Sequence, residues 1–108
     1  MAFFAKVRGG VTHVTRRKDD ALYAQGDAAD SVFYIESGKA KVTVVSAQGK
    51  EAVVAVLGSG QFAGEGCLAG QAVRMASVTA MTDCAATRIE KDAMIRLIHE
   101  QPEVLHYS

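Results

Sequence analysis

Apolar positions along most of this chain recur with a period near two, interrupted at intervals by glycine. Val11-Thr12-His13-Val14-Thr15 is rich in β-branched residues and predicts a first strand. Ser31–Glu36 predicts a second, closing at Ser37-Gly38. Lys39–Ser46 and Glu51–Leu57 flank Gln48-Gly49 and predict a hairpin with a short glycine-containing loop. Two more strands are expected over Ala76–Ala80 and Cys84–Ile89. Ten glycines against one proline, many of them about ten residues apart, punctuate these segments as tight turns do in a sandwich or barrel.

The period changes only near the end. Lys91–Gln101 places Met94, Leu97, Ile98 and Gln101 on one helical stripe, and Pro102 stops it. The pattern therefore predicts a mainly β roll or barrel with one helix packed on its C-terminal side. The expected division is an N-terminal segment over 1–10, the roll with its helix over 11–101, and the stub of a following helix over 102–108.

Composition narrows what such a domain does. At 108 residues the chain has room for one core, and 49% apolar with 22% charged residues excludes wholesale disorder. Twelve basic and twelve acidic residues give a formal net charge of zero, which disfavours binding nucleic acid by bulk charge. No apolar run approaches the roughly 20 residues of a membrane span, and Lys6 and Arg8 interrupt the start too soon for a signal peptide. Two cysteines are too few for a disulfide scaffold, so a cytoplasmic location is expected. Arg16-Arg17-Lys18 is offset at once by Asp19-Asp20 and reads as a solvated turn. His13, His99 and His106 show no ligand spacing, so no metal is expected. Cys84 reads as a small buried hydrophobe, and Cys67 is a minor candidate for redox sensitivity.

The chemistry concentrates in Gly58–Ser77. Two G-x-G-x-x-A patterns occur there, at Gly58/Gly60/Ala63 and Gly64/Gly66/Ala69, but a dinucleotide fold needs a long helix directly afterwards. Gly64, Gly66 and Gly70 leave room for about a turn and a half, so that reading is rejected. A backbone without side chains can instead approach a ligand closely, and a helical turn after Gly66 would aim free N–H groups at an anion. Arg74, nine residues after Glu65, can grip two phosphate oxygens, and Glu65 suits sugar hydroxyls. Together they describe a pocket for a phosphate joined to a sugar. On residue chemistry alone, a simple Glu65–Arg74 ion pair closing the loop is the commoner arrangement and stays open.

The order of these residues resembles the phosphate-binding cassette of the cyclic-nucleotide-binding domain family: a Phe-Gly-Glu, a short helix, then Arg and small residues. Phe62, Gly64-Glu65, Leu68, Arg74, Ala76 and Ala80 stand in matching order, with Ala63 inserted after the Phe. Leu22–Gly38 resembles the family's upstream turn and strand. The likeness covers roughly 11–101 and is greatest to bacterial catabolite-activator (Crp/Fnr) regulators.

That resemblance implies a double-stranded β-helix (a β-roll or jelly-roll, cupin-like) with a short cassette helix and a C-terminal helix, acting as a sensor without catalysis. It implies that Arg74 binds a cyclic phosphate and Glu65 the ribose 2′-hydroxyl. Backbone N–H groups around Gly64, Gly66, Cys67 and Ala76 would complete the anion site. Met75 follows the arginine where a threonine favours cGMP in related proteins, so the ligand expected is cAMP rather than cGMP. Val73 replaces a frequent proline, and Gly66 replaces an aliphatic residue after the glutamate. Full regulators continue into a dimerising helix and a DNA-binding domain, so a homodimer is admitted and DNA would be reached only through a domain outside this chain. The alternative is a structural or protein-interaction β-roll that has lost its nucleotide.

Overall fold

A computed structural model describes residues 9–100. Two four-stranded antiparallel sheets face each other: β1 (Val11–Arg16), β8 (Cys84–Glu90), β3 (Ser31–Ser37) and β6 (Phe62–Ala63) in one, and β2 (Ala21–Tyr23), β7 (Ser77–Ala80), β4 (Ala40–Val45) and β5 (Glu51–Leu57) in the other. Helix α1 (Lys91–Glu100) follows β8 without a linker, and a 3-10 helix (Glu65–Ala69) follows β6. The β-roll is thus as expected. Gln101 of the helical stripe and the stub at 102–108 lie outside the described residues, as do residues 1–8.

Strand β3 explains the architecture best. Its run Ser31–Ile35 is buried throughout because its two faces serve two cores. Val32 and Tyr34 pack with Phe62, Cys67, Ile89, Ala93, Met94 and Leu97, joining the roll to α1 and the 3-10 helix. Phe33 and Ile35 pack with Leu22, Ala40, Ala63, Val78 and Ala86 between the sheets. A strand buried on both faces reads as continuous apolar sequence rather than as alternation. Met94 and Leu97 of the helical stripe are buried, and Ile98 packs against them from its edge.

The β4–β5 ribbon departs from this economy. Val53, Val54 and Val56 are 56%, 60% and 50% exposed, on an edge strand that among the described residues pairs only with β4. Val42 pairs with Ala55 and Thr43 with Val53, so Val54 is an extra residue and β5 carries a bulge there.

Candidate functional site

Arg74 is held in place through its backbone first. Its N–H donates to the Asp27 carbonyl, and its carbonyl accepts from Gly26 N–H, each at 2.8 Å. Ala28 bridges Val73 alongside, and Ala29 N–H donates to the Ala72 carbonyl at 2.9 Å. The segment before β7 is therefore clamped to the turn before β3, and the Arg74 side chain is directed inward.

Only 4% of Arg74 is exposed. Its Nη2 donates to the Ser31 carbonyl at 2.7 Å and the Ser31 hydroxyl at 3.0 Å, and its Nη1 to the Gly64 carbonyl at 3.3 Å. Asp30 Oδ1 lies 3.9 Å from Nη2 and also meets Arg88 at 3.4 Å. The guanidinium carbon sits 4.1 Å from the ring centroid of Tyr23 and 6.0 Å from that of Phe33. Arg74 Nε is buried with no hydrogen-bond partner among the described residues. Carbonyls, a carboxylate and a π face thus surround the buried cation and offset its loss of water.

Gly64 makes the close approach workable. It adopts φ +85, and a Cβ there would stand 2.6 Å from Arg74 Nη1 and 3.2 Å from the Ser31 carbonyl oxygen. The 3-10 helix begins at once, with Glu65 in its first turn. Partial burial raises the Glu65 carboxyl above the ordinary carboxylate range, against a smaller opposing pull from its own backbone N–H. Glu65 and Arg74 do not pair: Arg74's ion-pair partner among the described residues is Asp30. The closed Glu65–Arg74 bridge that residue chemistry left open is absent from that set.

Both side chains instead line one open cavity of about 310 Å³, together with Tyr23, Gly64, Gly66, Gln71, Met75 and Ala76. Six of the seven expected site residues thus share a concave surface. The exception is Cys67, which is fully buried with its thiol directed at the Ser31 carbonyl, 3.6 Å away, and its N–H bonded to Gly64 at 3.4 Å. Its burial argues against the minor redox candidacy: desolvation pushes the Cys67 thiol up, with Arg74 and Lys91 pulling less strongly the other way. Sequence reasoning also missed Tyr23, Ser31 and Asp30 as partners of Arg74, and Gln71 as a lining residue. The common signal was their membership of the upstream turn and the cassette, whose pairing is visible only in three dimensions.

The arrangement offers a guanidinium, a carboxylate and a bare glycine backbone around a small hollow. A scan of known families matches the Cyclic nucleotide-binding domain over residues 13–101. The chain belongs to that family.

Among curated members of this cyclic nucleotide-binding family, the cAMP-dependent protein kinase regulatory subunit of Yarrowia lipolytica is 33% identical over 93 residues, covering 86% of this chain and 24% of its own. The cAMP-activated global transcriptional regulator CRP of Salmonella typhimurium is 33% identical over 85 residues, covering 78% of this chain and 40% of its own. The chain thus spans well under half the length of these relatives. The crystal structure of Thermus thermophilus Catabolite Activator Protein superposes with a TM-score of 0.83 at 24% identity, over 98% of this chain and 50% of that one, a likeness of fold. No helix among the described residues is long and apolar enough to cross a membrane.

Proposed function

We propose that the cassette cavity binds a cyclic nucleotide, cAMP in preference to cGMP, and that this cyclic nucleotide-binding domain is the sensor of a Crp/Fnr-type transcription regulator. It performs no catalysis on this reading; a homodimer is admitted, and DNA would be met only through a domain outside this chain. The observation that carries it is the convergence of Arg74 and Glu65, unpaired with each other, on one hollow floored by Gly64 and Gly66. Arg74 is the group for the cyclic phosphate, Glu65 for the ribose 2′-hydroxyl, and backbone N–H groups around Gly64, Gly66 and Ala76 support the anion. Met75, 62% exposed, brings a thioether to the rim where a hydroxyl would favour cGMP. The names of the cAMP-responsive relatives support the same ligand.

One observation favours a second reading. Three donor contacts of Arg74 already engage Ser31 and Gly64, so the residue also works as a structural tie in a roll without ligand. A phosphate competes with those neutral carbonyls through stronger, charge-assisted bonds. Isothermal titration with cAMP and cGMP decides between them. The sensor reading expects saturable heat with cAMP and an affinity roughly 10- to 150-fold lower in Arg74→Ala. No heat from the wild type at high micromolar nucleotide overturns it and leaves the structural tie.

A further inference from the structure

The cavity contains one polar side chain to which no role has yet fallen. Gln71 follows the 3-10 helix by two residues, and its N–H reaches back to the Gly66 carbonyl at 3.2 Å. Its side chain folds over Gly66 as well. A Cβ on Gly66 would collide with the Gln71 Oε1 and stand 2.6 Å from its Cδ. The Gln71 amide therefore fills the space that an aliphatic residue after Glu65 would take. Gly66 does not hold a left-handed φ, so room for this amide is what its missing side chain supplies. The Gln71 side chain is exposed and lines the cavity beside Glu65 and Arg74, and its amide bonds to no other described residue.

We infer that Gln71 is an anion-contacting residue of this site, donating its side-chain N–H to a cyclic phosphate oxygen; the inference rests on the nucleotide reading above. The division of labour points to the phosphate. On that reading Glu65 is the acceptor for a sugar hydroxyl, whereas three of Arg74's donor contacts are taken by Ser31 and Gly64, so a further donor strengthens the anion site more than a further acceptor would. A neutral amide supplies one without bringing a second carboxylate or cation into the cavity.

The test is calorimetric titration of cAMP into the wild type, Gln71→Ala, Gln71→Glu, Gly66→Ala and the Gly66→Ala/Gln71→Ala double variant, each checked for cooperative melting. Gln71→Ala should weaken binding about tenfold. Gln71→Glu should weaken it further, because a carboxylate then faces the phosphate. Gly66→Ala, by displacing the amide, should lose about as much as Gln71→Ala, and the double variant no more than either. Wild-type affinity in Gln71→Ala, tight binding by Gln71→Glu, or additive losses in the double variant would each overturn the role of Gln71 while leaving the nucleotide reading intact. A wild type that binds no nucleotide overturns both.

Discussion

The guanidinium of Arg74 lies over the ring of Tyr23, 4.1 Å from its centroid, while the same group donates to the Ser31 carbonyl at 2.7 Å. A residue placed to meet a ligand is thereby also a strut between β2, β3 and the cassette. Arg74→Ala should cost the unliganded protein about 1–3 kcal/mol, since the buried Ser31 carbonyl would lose its charged donor at 2.7 Å. Tyr23→Ala should cost about 0.5–2 kcal/mol through the lost cation–π contact, before any cavity is counted, and Tyr23→Phe almost nothing. Urea denaturation of the three variants without nucleotide measures this. An Arg74→Ala protein as stable as the wild type would contradict the strut.

Gly64 should tolerate no side chain. Gly64→Ala combines a left-handed backbone, worth about 1–2 kcal/mol, with crowding of Arg74 Nη1 and the Ser31 carbonyl. Gly26→Ala separates the two, because φ there is +92 and an added Cβ meets nothing within 4 Å. Melting temperatures should fall in both variants and further in Gly64→Ala. Equal losses would remove the crowding.

Protonation of Glu65 should leave a slope in stability. The folded chain holds this carboxyl's proton more tightly than the unfolded chain does, so Glu65's contribution is fully present below its ordinary value of 4.5 and is lost as pH rises through the raised folded value. The stability of the wild type relative to Glu65→Gln should therefore decline with rising pH across that window and level off above it. Denaturant titrations from pH 4 to 7 give the sign, and an increase would contradict burial as the cause.

Neither thiol should react in the native protein. Cys67 is fully buried with its thiol held protonated, and Cys84 is 5% exposed. A colorimetric disulfide reagent should label both in denaturant and neither, on the same timescale, without it. Rapid native labelling of Cys67 would restore the redox role that its burial argues against.

Most of the fold was legible because long strands and the single helix carry their own periods. Val11–Thr15, Glu51–Leu57 and Cys84–Ile89 fall on β1, β5 and β8 to within a residue at either end. Strands β2 and β6 escaped, being three and two residues long, too short for any alternation to register. The cassette was readable from the order of Gly64, Glu65 and Arg74, but the surroundings of Arg74 were not. Tyr23 and Ser31 lie more than forty positions upstream, and the backbone bonds of Arg74 to Gly26 and Asp27, the Ala28–Val73 bridge and the β2–β7 pairing bring them within reach. That the Cys67 side chain faces the core was not legible, because a five-residue helix can turn any one side chain inward and no sequence period says which.

The extra residue at Val54 has a consequence for how the molecule behaves in a crowd. A straight, oily outer strand is a template onto which a neighbour zips its own backbone, and then another after it. Here the spacing of free N–H and C=O groups along that margin is broken midway and the strand bends, so a newcomer matched to one half is out of step with the other. The domain can therefore carry three bare valines on its rim without offering the even ladder from which fibres grow.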